Sequence, residues 1–218
     1  EAILELCNRL RDNKDYSNVR NLWIRKNGKI IKNPIGKAFD VDKAPLPDFS
    51  LFEEARLYRP MAGKIYRMLP VETHRGCPYS CSYCNSPAQR VIYDGGHAGN
   101  YFRKRSVDMV RREIEFYKND CDAEYFYFWA DTFFAYTDKE FDGFVEMYDD
   151  FKIPFFCQAR PEQITEERIR QLRSVGLHRM ALGIEHGNEE FRRRIINRKV
   201  SNEVIIKAFD IISDYALP

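Results

Sequence analysis

The stretch Glu124-Tyr125-Phe126-Tyr127-Phe128-Trp129-Ala130, followed by Asp138 to Phe151 and then by Ile153-Pro154-Phe155-Phe156-Cys157-Gln158, reads as strand, helix, strand. The outer runs are short, apolar and aromatic-rich, as buried strands are, and the segment between them has a helical pattern. The alternation continues in both directions. Ile65 to Thr73 and Arg179 to Ile184 read as further strands, and Ser106 to Tyr117, Thr165 to Val175, Glu189 to Ile196 and Ser201 to Tyr215 as helices. Ser106, Thr165 and Ser201 suit helix N-caps and Gly176 suits a C′ position, which fixes several boundaries. Strands that alternate with helices make βαβ units around a parallel sheet. Four strand-helix units are visible, whereas a closed barrel of eight takes about 250 residues. The expected fold is therefore α/β: a partial (β/α) barrel of parallel strands with outer helices, incomplete at the C-terminus.

Before residue 60 the pattern differs. Apolar residues at 3, 4, 6, 7 and 10 give an amphipathic helix already under way at Glu1, as in a cut chain. Lys26-Asn27-Gly28 then separates Leu22-Trp23-Ile24-Arg25 from Lys29-Ile30-Ile31 and predicts a β-hairpin, because Asn-Gly accepts the positive φ angles of a tight turn. From Asn33 to Pro60 the chain carries Pro34, Pro45, Pro47 and Pro60, which predicts an extended connector with one short helix after Asp48. The expected division is 1–60, the end of an upstream domain with hairpin and linker, and 61–218, the barrel core.

Composition narrows the function classes. The chain has 218 residues, 44% hydrophobic and 31% charged, which suits a globular domain and excludes collagen-like and wholly disordered chains. Lys and Arg number 35 against 33 Asp and Glu, so no bulk positive field recruits nucleic acid. Even the apolar run Tyr125 to Ala135 is broken by Asp131, far short of the roughly 18 residues of a membrane span. Six cysteines are too few for a secreted disulfide scaffold, and Glu1 to Arg11 lacks a signal-peptide pattern, so the expected compartment is the cytoplasm.

Three of those cysteines fall within eight residues: Arg75-Gly76-Cys77-Pro78-Tyr79-Ser80-Cys81-Ser82-Tyr83-Cys84-Asn85. The segment directly follows the first strand of the alternating series, at the strand end where parallel α/β folds place ligands. Three thiolates in one loop can converge on a soft metal centre, zinc, copper(I) or iron-sulfur, or else simply lie on the surface. In a four-iron cubane three cysteines leave one iron open. Zinc with His74 or His97 as fourth ligand is the competing assignment, although zinc motifs usually contain a second Cys or His pair.

The Cys-x-x-x-Cys-x-x-Cys spacing, with aromatic Tyr83 before the last cysteine, resembles the signature of the radical S-adenosylmethionine (radical SAM) superfamily. The resemblance implies that Cys77, Cys81 and Cys84 ligate a 4Fe-4S cluster whose open iron chelates the methionyl amine and carboxylate of S-adenosylmethionine. It also implies that reductive cleavage of the sulfonium yields a 5′-deoxyadenosyl radical that abstracts hydrogen from substrate. Tyr83 is carried over as a cofactor contact. Asp131, after the second strand, resembles the acid that holds the methionine amine, and reads equally as a cap or a solvent-facing acid. Gln158 and Arg160, on one face at the end of the third strand, stand where the family often has a polar residue that hydrogen-bonds the ribose or nearby groups; Arg160 reads equally as half of a structural ion pair. Met180 to Glu189 resembles the family's Gly-Ile-Glu-x-Gly segment, which makes Glu185 the ribose-binding carboxylate. Asn197-Arg198 resembles an Asn-Arg element whose guanidinium pairs with the methionyl carboxylate. His186 is left unassigned, and Arg192-Arg193-Arg194 reads as an exposed helix face.

The amino-terminal helix, hairpin and Pro45-x-Pro47-Asp48 connector resemble the bridge from a cobalamin-binding domain to a radical domain. That implies cobalamin in the full-length protein and methyl transfer downstream; a radical methylthio-transferase is the enzymatic alternative. The implied partners are a small-molecule substrate and an external electron donor such as flavodoxin or ferredoxin.

Overall fold

The computed structural model describes residues 2–217. Helix α1 (Ala2–Arg11) leads to the hairpin of β1 (Trp23–Lys26) and β2 (Lys29–Lys32), turned by Asn27 and Gly28 at φ 51° and 75°. The connector holds three single-turn 3-10 helices, Val41–Lys43, Phe49–Leu51 and Glu54–Leu57. The second follows Asp48, whose carboxylate caps it by accepting the Ser50 N–H. Strand β3 (Tyr58–Met61) then turns back antiparallel into β4 (Lys64–Glu72), so the expected boundary near residue 60 falls inside a hairpin.

A short antiparallel pair, β5 (His74–Arg75) and β6 (Arg103–Lys104), brackets the cysteine loop and α2 (Ser86–Gly95). The alternating series follows as α3 (Val107–Asp120), β7 (Tyr125–Trp129), α4 (Asp138–Asp149), β8 (Phe155–Ala159), α5 (Glu166–Val175), β9 (Leu177–Leu182), α6 (Glu189–Arg194) and α7 (Asn202–Asp214). The main sheet runs β3-β4-β7-β8-β9, and β4, β7, β8 and β9 are mutually parallel. It forms a half-barrel with helices outside. Ser106, Thr165 and Ser201 cap α3, α5 and α7, and Thr137 forms a capping box with Glu140 on α4. Strand β9 starts two residues before the expected Arg179, because Gly176, at φ 121°, turns the chain out of α5 at once. A Cβ at Gly176 would stand 2.8 Å from the Ile153 carbonyl oxygen, so the turn is closed to other residues.

The core lies between the sheet and its outer helices. Phe126 and Phe128 of β7 and Phe155 of β8 interlock with Phe133, Phe144 and Tyr148, all essentially inaccessible. At the end of β4, Arg105 donates to the Glu72 carbonyl at 3.0 Å and to buried Glu113 of α3 at 2.6 Å, which fixes the exit into the cysteine loop. Among the described residues no helix is long and apolar enough to cross a membrane.

Candidate functional site

The C-terminal ends of the parallel strands open on a cavity of about 310 Å³. Cys77, Cys81 and Cys84 line one part of it, and Tyr83, Asp131, Gln158, Arg160, Glu185 and Arg198 line the rest. The fold therefore brings all nine residues singled out in the sequence to a single cavity.

The cysteine loop is held from three sides. Gly76 enters it at φ 86°, and a Cβ there would lie 2.6 Å from the Tyr101 carbonyl oxygen, so only glycine fits. From α2, Arg90 donates to the Pro78 carbonyl at 2.9 Å and the Ser80 hydroxyl at 2.7 Å. From the turn after α6, Asn197 donates to the Ser80 carbonyl at 2.7 Å, and the Ser82 N–H donates to the Ile196 carbonyl at 3.0 Å. Cys81 is buried, Cys77 half-buried and Cys84 exposed, and all three are free thiols. Burial pushes the Cys77 thiol up, against the nearby Tyr79 N–H, which favours the thiolate.

Opposite the loop, charges alternate. Arg160 pairs with Glu162 at 2.5 Å, Glu162 meets Arg198 at 3.5 Å, and Arg198 pairs with Glu185 at 2.9 Å. The Arg198 side chain is 2% exposed, and among the described residues its Nε has no partner. Gly183 makes room for the last pair, since a Cβ there would stand 2.5 Å from Glu185 Oε1 and 3.2 Å from Arg198. Glu185 itself sits at φ 69°, a strained setting for a non-glycine residue that turns its carboxylate to the cavity wall. Desolvation first, and the neighbouring Glu185 carboxylate second, push the Tyr83 hydroxyl up to about 12.

Arg160 donates to Cys81 Sγ at 3.4 Å and lies 3.7 Å over the Tyr79 ring. Burial works against its charge, but the bonds to Cys81 and Glu162 prevail and hold it above its ordinary range. Gln158 donates to the Tyr127 hydroxyl at 2.6 Å. The Asp131 carboxyl is raised by desolvation, opposed by the nearby Gly76 N–H. The Arg160 ion pair and its place in the cavity lining thus coexist.

One sequence expectation is overturned. Arg192 is not on an exposed face with its neighbours but wholly buried, and it donates to the His186 carbonyl at 2.6 Å, the Val200 carbonyl at 3.2 Å and Asn202 Oδ1 at 2.5 Å. Its guanidinium bolts the segment after β9, which carries Glu185, to the segment that carries Arg198. Its four-residue spacing to buried Ile196 is the signal that could have placed it inward. Glu162 also escaped sequence reading. His186 accepts the Asn188 N–H at 3.0 Å and stacks on Phe191.

The donor set fits an iron-sulfur cluster with an organic ligand beside it: soft thiols at one end, and a carboxylate, an amide and a partly unpartnered guanidinium at the other. His74, considered as a zinc ligand, is packed on Tyr136 and Phe102 and bonded to Thr73 Oγ1 at 2.8 Å. Among the described residues, no three His, Cys, Asp or Glu side chains stand close enough to share a single metal ion.

The family model of the radical SAM superfamily matches residues 71–218. An uncharacterized methyltransferase of Pyrococcus horikoshii, PH0819, is 24% identical over 186 residues, which is 83% of this chain and 37% of that protein. Bacteriochlorophyllide d C-12(1)-methyltransferase of Chlorobaculum tepidum is 35% identical over 68 residues, 31% of this chain and 12% of that one. In structure the chain is similar to the radical S-adenosylmethionine methyltransferase TsrM of Kitasatospora setae, solved with cobalamin and a [4Fe-4S] cluster. The TM-score is 0.65 at 13% identity, over 99% of this chain and 42% of that one. The chain thus spans less than half the length of these relatives. With two thirds of its residues inside the family model and its three cysteines on the loop after the first parallel strand, the chain belongs to the radical SAM superfamily.

Proposed function

We propose that this chain is the radical core of an S-adenosylmethionine-dependent enzyme, most plainly a methyltransferase. In this reading Cys77, Cys81 and Cys84 hold a 4Fe-4S cluster, and the facing wall of the cavity holds S-adenosylmethionine. The observation that carries it is the convergence of three thiols and six further side chains on one cavity at the ends of the parallel strands. When bound, the reduced cluster supplies the electron that cleaves the sulfonium, so that hydrogen is abstracted from substrate by the released radical.

The chain's own residues bind and orient. Arg198, buried and already braced by Glu185 and Glu162, presents a planar fork to the methionyl carboxylate. Asp131 faces the amine, and Glu185, held by Arg198, accepts ribose hydroxyls. Gln158 is set toward the same end by Tyr127. The substrate is a small molecule, and electrons come from an external protein such as flavodoxin or ferredoxin in the cytoplasm. Cobalamin-dependent methyl transfer is supported by the methyltransferase names of two relatives and by the fold shared with a cobalamin-bearing structure.

The test is anaerobic reconstitution with iron and sulfide, followed by electron paramagnetic resonance of the reduced protein with and without S-adenosylmethionine. The expected result is a cluster signal that shifts with the cofactor and is lost in Cys81→Ala. Uptake of zinc without iron would overturn the proposal.

A further inference from the structure

Among the described residues, Arg160 is the only side chain that donates a hydrogen bond to a sulfur of the cysteine loop, 3.4 Å from Cys81 Sγ. Cys81 is also the buried member of the three, 7% exposed, so its surroundings are set by protein rather than by water. A charge held there is weakly screened.

The guanidinium is fixed from every side. It lies 3.7 Å over the Tyr79 ring and meets Glu162 at 2.5 Å. The Tyr79 hydroxyl accepts from Gln163 at 3.1 Å, while Gln163 Oε1 accepts the Arg160 backbone N–H at 3.2 Å and the Thr132 hydroxyl at 2.8 Å. An ion pair with Glu162 alone would need neither the ring nor the aim at sulfur. Glu162 in turn is held on its other side by Arg198.

Hydrogen bonds to the sulfurs and local charge are the levers by which a protein sets the potential of an iron-sulfur cluster. One-electron reduction adds one negative charge to the cluster and its thiolates. A permanent cation bonded to one thiolate stabilises that extra charge and raises the potential, and a carboxylate beside the cation opposes it. We infer that Arg160 sets the reduction potential of the cluster through its bond to Cys81, and that Glu162 trims the effect. The inference rests on the proposed function, since it needs the cluster to be there; it gives Arg160 a positioning and charge role at sulfur beyond forming part of the cofactor wall.

The experiment is a potentiometric titration of the reconstituted protein, read by electron paramagnetic resonance, for wild type, Arg160→Met and Glu162→Gln. Arg160→Met is expected to leave about tenfold less cluster reduced, relative to oxidised, at the wild-type midpoint, a downward shift of about 59 mV for a one-electron couple. Glu162→Gln is expected to move the midpoint the opposite way. Opposite signs from adjacent variants are not what general loosening of the loop produces. An unmoved midpoint in Arg160→Met, or a Glu162→Gln midpoint that stays put or falls, overturns the inference. If Arg160→Met takes up no cluster, the Glu162→Gln shift decides alone. Wild-type protein that takes up no cluster overturns this inference together with the proposed function; an intact cluster with an unmoved midpoint overturns this inference only.

Discussion

The Glu185 carboxylate meets two demands at once. It neutralises Arg198, which burial would otherwise leave costly, and under the proposed function it accepts ribose hydroxyls. Glu185→Gln separates the two, because the amide keeps the shape and loses the charge. If the carboxylate binds ribose, charge-assisted bonds worth roughly 1.5 to 3 kcal/mol weaken, and the dissociation constant for S-adenosylmethionine rises about tenfold or more at unchanged cluster content. If it only braces Arg198, thermal stability falls and cofactor affinity, measured by anaerobic calorimetry, stays. The cysteines were legible because their spacing is local, and Glu185 and Arg198 because each lies in a short recognisable segment. Arg192 and Glu162 were not. Three arginines in a row look like a solvated face, and the carbonyls that take Arg192 inward belong to segments whose approach only the fold creates.

At the scale of elements, one of the two shortest strands carries a clear pH signature. His74 of β5 is pushed down to about 4 from the ordinary 6.5, first by burial, then by Lys104, with Glu140 opposing. The folded ring is neutral down to that value, while the unfolded histidine takes up a proton below about 6.5. Its contribution is therefore whole above pH 6.5 and is lost as pH falls toward 4. Linkage makes this about 2 kcal/mol between pH 7 and pH 5 and roughly 3 kcal/mol in all. Urea unfolding of wild type and His74→Gln at both pH values checks it: the wild type should lose about 2 kcal/mol more than the variant over that interval. Neither β5 nor α2 was legible in the sequence. A two-residue strand has no periodicity to read, and Pro87 and Gly95-Gly96 in and after α2 look like loop punctuation. Helices α3, α5 and α7 were legible because each buries a repeating face and begins at a side-chain cap.

Across the whole molecule, β7 divides two environments. Phe126 and Phe128 point to the helices and the core, and Trp129, one residue on, is 61% exposed toward the concave side. The two faces respond differently to truncation. Phe128 packs its ring within 5.1 to 5.6 Å of Phe133, Phe144, Tyr148 and Phe155, residues drawn from α4, β8 and the loop after β7. Removing it opens a cavity that several elements must share, and such changes cost about 3 to 5 kcal/mol, a large part of the 5 to 15 kcal/mol that holds a typical domain. Trp129→Ala removes a larger side chain from a site with little to collapse, and should stay within about 0.5 kcal/mol of wild type. Denaturant unfolding at pH 7 distinguishes them: Phe128→Ala lowers the midpoint at unchanged slope, and Trp129→Ala does not. Equal losses in the two variants would mean that the concave face is as much a core as the helix-covered one, and that the cavity at the strand ends is held from both sides of the sheet.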